Sequence, residues 1–410
     1  MISKFKQHRS TLTSEEITQR TYKCDLWRGG FEGVLSSGAQ TFCLFIAIRY
    51  FNAGEIIKSL IAAAPFMGMF LSMLLLHYAS TTNWDKSTWG ALPSIVTGVC
   101  LLVAAWAESL HLFAVFVVIA YISRSALLPF ITDIYGDNYP SGQHARFFSK
   151  SLLLSVGIAA LSGLVGSSIL EKDIAYYPLI FTFLGFCAFF KAIAIFGMPS
   201  KKVDESPHEN PFGNMKYAWQ DRSFGYVLLT WFIMGFANLW TLPLRVDYIT
   251  SPQWGIEGSA IFVAMIITVI PETLRMLLIP FWARLFDKMN FVILRMILNL
   301  SFASGVLLFF ISTNPWIIGA GSALIGVAFA GGSIAWNLWV TKYAPPGRTG
   351  AYMSVHVSLT GIRGTLGPMV GYWAVGIIGA QNIGLLSCGM MILATLMLIP
   401  EIPHGRGKTA

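Results

Sequence analysis

The sequence predicts an all-α, polytopic membrane protein with twelve transmembrane helices in two pseudo-symmetric six-helix bundles. Three observations carry this. The 410-residue chain is 55% hydrophobic and 12% charged, with a mean hydropathy of +0.63; a soluble domain carries about 25% charged residues. Its apolar runs are continuous and reach the ~20 residues a helix needs to cross a bilayer. Barrel strands would instead alternate over about ten residues. The hydrophobic design also occurs twice. At an offset of 345 − 140 = 205 residues, Asn138-Tyr139-Pro140-Ser141-Gly142 lies over Tyr343-Ala344-Pro345-Pro346-Gly347, and Phe147-Phe148-Ser149 over Tyr352-Met353-Ser354. Gly166 lies over Gly371, and Gly30-Phe31 over Gly235-Phe236. A long repeat made of membrane spans points to two like bundles with a solute path between them.

In chain order, residues 1–24 form a polar, charged N-terminal segment without the apolar stretch of a signal peptide. Six apolar runs follow, at 26–49, 56–78, 88–106, 110–131, 148–170 and 176–197, and make a first bundle over 25–197. Residues 198–223 read as a linker, because Ser206-Pro207-His208-Glu209-Asn210-Pro211 is turn-rich. A second bundle over 224–400 takes the runs 224–246, 259–283, 291–312, 315–341, 350–378 and 381–399, leaving a tail at 401–410. Two short amphipathic surface helices are expected, one at Met215-Lys216-Tyr217-Ala218-Trp219 and one at Ser14-Glu15-Glu16-Ile17.

The net charge is +8, and its placement sets the orientation rather than suggesting nucleic acid. One set of loops carries 18 lysines and arginines; the other carries four, Arg49, Lys58, Lys172 and Arg245. The positive-inside rule puts both termini in the cytoplasm of a cell whose inner (plasma) membrane the chain crosses. The five cysteines (Cys24, Cys43, Cys100, Cys187, Cys388) are scattered without disulfide or metal spacing. The Asn-x-Ser match at Asn299 falls in an apolar run where no glycan is added.

Between the eighth and ninth runs stands Ala283-Arg284-Leu285-Phe286-Asp287-Lys288-Met289-Asn290. It resembles the Gly-x-Leu-x-Asp-Arg-x-Gly loop of the major facilitator superfamily, with Ala, Lys and Asn at three of its positions. The first-half counterpart, Tyr78 through Lys86, is degraded. Arg124 resembles that family's arginine in span 4. Gly364-Thr365-Leu366-Gly367-Pro368-Met369-Val370-Gly371 resembles a glycine-proline motif of its antiporters, although Gly157 through Gly166 has no proline. The resemblance implies the major facilitator fold, a cavity lined by spans 1, 4, 7 and 10, and a gating loop at Arg284, Asp287 and Lys288.

Ionisable groups inside a bilayer are costly and tend to face a cavity or each other. The candidates for contact with an anionic solute are Arg124, Arg275 and Arg363, since a guanidinium binds carboxylate or phosphate bidentately. Each has a bland alternative. Arg275 lies three residues after Glu272 on one helix face, behind Pro271, where the chain can bend. Arg363 could pair with a carboxylate, and Arg124 with Asp133 or Glu32. Glu272 and Glu32 are the proton-coupling candidates; Glu32 could equally pair with Arg28 one turn away. Lys191 is expected to snorkel to the headgroups. His77 and His356 could titrate or simply pack. Asn238, Trp240, Trp336, Asn337 and Gln40 are candidate pocket-lining residues, with Trp231 and Trp339 read as interfacial or packing.

No Gly-x-x-x-x-Gly-Lys-Ser/Thr, His-Glu-x-x-His or Gly-x-Ser-x-Gly occurs, so neither a nucleotide motor nor a hydrolase is expected. The expected function is secondary active transport of a small, polar, anionic solute by alternating access, coupled to protons, in a monomer. No cofactor, metal or nucleic-acid partner is expected. The alternatives are efflux of amphipathic compounds through an adaptable, methionine-rich pocket, or a transporter-like receptor or scaffold that moves nothing.

Overall fold

A computed structural model describes residues 12–140, 144–203, 213–345 and 349–404. Among these residues every long element is a helix, and the one departure is an isolated bridge between Asp85 and Lys202. In chain order the helices are α1 (Ser14–Arg49), α2 (Glu55–Ser80), α3 (Lys86–Ala105), α4 (Leu110–Asn138), α5 (His144–Lys172), α6 (Ile174–Phe196), α7 (Arg222–Thr250), α8 (Ala260–Phe286), α9 (Phe291–Ile311) and α10 (Pro315–Leu338). The last helical stretch runs Thr349–Met397. At 1.5 Å per residue it would be roughly 70 Å long, over twice the ~30 Å apolar thickness of a bilayer. Gly379 breaks it, with φ 79° and ψ 162°, into α11 (349–378) and α12 (380–397). Twelve apolar helices result among the described residues.

Gly379 carries the break because this backbone region is essentially closed to a side chain. Gly379→Ala is therefore expected to destabilise the fold by roughly 1–3 kcal/mol. Thermal melting of the detergent-solubilised chain checks this; an unchanged melting temperature would show the bend to be freely adjustable.

Lipid, not water, is the solvent that explains the surface. On α6 the exposed residues Leu179, Phe183, Phe186 and Phe190 recur every three or four positions and form an outward apolar stripe. Polar groups turn inward, as with Ser151, Thr97, Thr241 and Asn299. In a membrane their hydrogen bonds must be found inside the protein. Thr97 donates to Pro93 O and Ala120 O, and Thr241 to Ala237 O and Asn238 O.

The chain divides into two compact units, one of residues 1–53 and 64–208 and the other of 54–63 and 209–410. In the first unit α1 packs on α5 and α6, and α3 on α4 and α6. The α1–α5 approach depends on Gly29 and Gly33, whose missing Cβ atoms would collide with Ser151 and with the backbone of Ser155. In the second unit α7 packs on the α11–α12 stretch, α10 packs on α8 and α9, and α9 also meets α11–α12. Two helices contain a π-helical turn, Gly38–Phe42 in α1 and Met265–Val269 in α8. The second immediately precedes Pro271, whose ring cannot donate to a regular helix.

Several sequence expectations are corrected. Ser14-Glu15-Glu16-Ile17 is not a separate surface helix; it is the first turn of α1. Thr13 caps that turn, accepting from Glu16 N, while its own N–H donates to Glu16 Oε2 at 2.8 Å. The capping box favours continuation into the span over a break. Arg284, Asp287 and Lys288 do not form a loop, because the helix continues past the apolar limit of α8 at Phe286 as far as Lys288, and Met289 is its C-cap. The Asp287 side chain lies outside the described residues. Lys58 and Arg245 are not loop cations: each lies within a helix and is only 6% exposed. The short helix expected at Met215–Trp219 is present, as a 3₁₀ turn, Gly213–Lys216, that runs into an α-helical turn, Tyr217–Gln220.

Candidate functional site

One cluster of charge in the first unit is built by α1, α4 and α6. Glu32, on α1, accepts from Arg124 Nη2 of α4 at 2.5 Å and from Lys191 Nζ of α6 at 2.5 Å. Each cation holds a different carboxylate oxygen. Arg124 Nη2 also donates to Ser36 Oγ at 2.7 Å, and its Nε is buried without a hydrogen-bond partner. The Tyr121 ring lies 5.7 Å from the Arg124 guanidinium carbon. One carboxylate between two cations leaves the trio with a net charge of +1.

Its geometry follows from the sequence. Glu32 sits between Gly29 and Gly33, the positions that let α1 lie against α5. A turn later α1 enters the π-helical turn that carries Gln40. Side-chain exposure falls from 23% at Glu32 through 13% at Arg124 to 2% at Lys191, so the carboxylate and the guanidinium are the reachable members.

Three sequence expectations change here. Lys191 does not snorkel; a carboxylate within reach outweighs the path to the headgroups. Glu32 does not pair with Arg28, because Arg28 Nε donates instead to Asp25 Oδ1 at 2.6 Å, and Tyr135 Oη donates to the same oxygen. Asp133 is not the partner of Arg124. It lies 3.8 Å from Lys86 Nζ, which also meets Asp137 at 3.1 Å, and Lys201 reaches Asp137 at 3.2 Å. The degraded Tyr78–Lys86 segment thus ends in an ion-pair cluster at the start of α3.

In the second unit Glu272 and Arg275 pair at 3.3 Å along α8, and Arg275 Nε donates to Ser333 Oγ of α10 at 3.1 Å. Arg363, on α11, donates to Trp231 O and, at 3.0 Å, to Thr360 Oγ1. No carboxylate among the described residues pairs with it. Asn238 is part-buried on α7, and its Oδ1 has no partner. Trp240 donates to Ser387 of α12. Trp336 lies with its ring 5.4 Å from His356. Asn337 lies on α10, and its side chain is outside the described residues. Trp231 and Trp339 are buried packing residues, stacked at 5.5 Å. His77 is exposed, and His356 is 1% exposed.

Sequence reasoning missed two features. Lys58 Nζ lies 2.7 Å from Asp247 Oδ1, within the second unit, where Ser251 Oγ and Trp254 Nε1 also donate to Asp247. Arg295, on α9, lies over the Trp231 ring at 3.6 Å. The available signal was a charged residue inside an apolar run, which had placed Lys58 in a loop and left Arg295 without a role.

Comparison with known proteins agrees with this architecture. Residues 251–410 match the model of the Major Facilitator Superfamily. No curated protein matches the chain in sequence. Among solved structures, a D-xylose-proton symporter superposes with a TM-score of 0.71 at 16% identity, covering 96% of this chain and 99% of its own. A POT family transporter in complex with a thioalcohol-conjugated peptide gives 0.73 at 13% identity, covering 94% and 96%. The human organic anion transporter TETRAN gives 0.64 at 15% identity, covering 94% and 100%. At these identities the structural likeness speaks for the fold. Residues 251–410 thus carry the sequence likeness to that superfamily, and the chain as a whole has the fold of these transporters, a multi-pass arrangement of twelve apolar helices among the described residues.

Proposed function

We propose that this transporter moves a small, polar, anionic solute across the inner (plasma) membrane, coupled to protons, with both termini cytoplasmic. The observation that carries the reading is the sharing of Glu32 between Arg124 and Lys191. A trio with net charge +1 in a low-dielectric setting attracts an anion. Arg124 is the natural recipient, because its guanidinium has a free Nε and can present a bidentate face to carboxylate or phosphate. A solute anion that takes Arg124 weakens the hold on Glu32. A buried carboxylate that loses its cation favours the protonated form. Solute and proton then enter the trio together, and each favours the other. Within the second unit, Glu272 and Arg275 form a carboxylate–arginine pair of the same kind.

The reading fits what two fold relatives are named for, a proton symporter and an organic anion transporter. No feature of the trio favours efflux of amphipathic compounds, for which a charged lining is a poor match.

The test is uptake into proteoliposomes holding the full-length protein. Small carboxylates, phosphorylated compounds, sugars and nucleosides are offered with and without an inward proton gradient. Uptake of one anion class, raised by the gradient and cut at least 100-fold in Arg124→Gln, is expected. Gradient-independent uptake of a neutral solute, unaltered in Arg124→Gln, would overturn the proposal.

A further inference from the structure

The second unit contains buried charge that none of its described carboxylates neutralises. Arg295 of α9 and Arg363 of α11 approach the same residue of α7 from two sides. Arg295 lies over the Trp231 ring at 3.6 Å and donates from Nη2 to Met234 Sδ at 3.1 Å. Arg363 donates from Nη1 to Trp231 O and lies flat against Gly235, where a Cβ would strike its guanidinium. They are 3% and 5% exposed. No carboxylate among the described residues pairs with either.

Around them is a ring of unsatisfied nitrogen. His356 is enclosed by Trp231, Trp336 and Trp339, with ring centroids 5.1, 5.4 and 5.3 Å away. Arg363 Nε, Trp231 Nε1, Trp339 Nε1 and His356 Nε2 are all buried and all without a hydrogen-bond partner. Arginine and tryptophan nitrogens can only donate. Unpaired buried donors and two uncompensated charges are each costly. Water could accept from the donors, but it would leave both charges unopposed. An anion answers both costs at once.

We infer that the second unit holds a small inorganic anion of halide size between Arg295 and Arg363, beside Trp231, Trp339 and His356. Size follows from packing: the rings touch, and the arginines are almost fully enclosed, so a solute of many atoms does not fit. The site is separate from the Glu32–Arg124–Lys191 trio, and it serves the fold of the second unit rather than recognition of the transported solute.

The test uses the purified full-length protein in detergent, melted in sodium chloride, bromide, phosphate or gluconate at equal ionic strength. At about five times the dissociation constant, chloride and bromide are expected to raise the melting temperature by roughly 2–4 °C over gluconate, saturably. Arg295→Gln and Arg363→Gln should lose the rise, whereas Arg275→Gln, which removes a paired arginine of the same unit, should keep it. Arg295→Lys, which retains the charge, should keep part of it and stands in if the glutamine variants do not fold. Equal melting in chloride and gluconate would overturn the inference, as would a rise that survives in both glutamine variants. A rise with phosphate alone would overturn the halide assignment. Because the readout is stability, failure here leaves the anionic-solute proposal standing, and failure of that proposal leaves this one standing.

Discussion

Glu32→Gln is expected to destabilise the first unit by about 3–5 kcal/mol, the usual consequence of leaving a buried cation, here Lys191, without its carboxylate. The effect is large because two cations depend on one carboxylate. Glutamine keeps the size of the side chain and one acceptor oxygen, but it cancels no charge, so Lys191, 2% exposed, and Arg124 face each other unopposed. A second substitution makes the expectation specific. In Glu32→Gln with Lys191→Met the lysine charge goes as well, and most of the lost stability should return, since apolar replacements of buried ionic groups are often neutral. Denaturation of the single and double variants in detergent measures the coupling. A loss under about 1 kcal/mol in the single variant would mean that the trio is hydrated and behaves as a surface pair. The double variant also separates stability from transport: it should be folded, yet lack the proton-dependent component of uptake.

Breaking the Lys58–Asp247 pair should have an effect of the same order, about 3–5 kcal/mol for Lys58→Ala. Asp247 is 1% exposed, and Ser251 and Trp254 donate to it. Those neutral donors cannot replace the lysine charge. The Lys58 ammonium also stands 5.1 Å from the centre of the Tyr372 ring, a contact that its apolar replacement loses. Lys58→Met with Asp247→Asn removes both charges while keeping approximate volume, and it should recover most of the loss. Melting of the two single variants and the double variant settles the matter. Additive losses, with no recovery in the double variant, would show that packing rather than charge holds residues 54–63 in the second unit.

How legible a residue was depended on how local its determinants were. The spans were readable because hydrophobic runs and their lengths are local, and the bilayer imposes one solution on them: a helix that satisfies its own backbone. The break at Gly379 was readable as a gap between two apolar runs, although its backbone conformation was not. Glu272 and Arg275 were legible as a pair because three residues of helix place them on one face. Glu32 was legible as an in-span carboxylate with Arg124 among its possible partners, but Lys191 was not legible as the second. Helical spacing favoured Arg28 four residues before it; α4 and α6 instead bring Arg124 and Lys191 to it across 92 and 159 residues of sequence.

The class of the protein is written in its residues: an all-helical membrane chain, duplicated, with charges inside its spans that needed an explanation. Composition, periodicity and the 205-residue repeat suffice for that, because the energy of placing a segment in lipid is set by the segment. Tertiary structure alone decided which of those charges cancel. Arg124 and Lys191 share a carboxylate, Arg275 has its own, and Lys58 meets Asp247. Arg295 and Arg363 meet none among the described residues. A charge in a low-dielectric interior is governed by whatever lies within a few ångströms of it, and that neighbourhood is assembled from helices far apart in the chain.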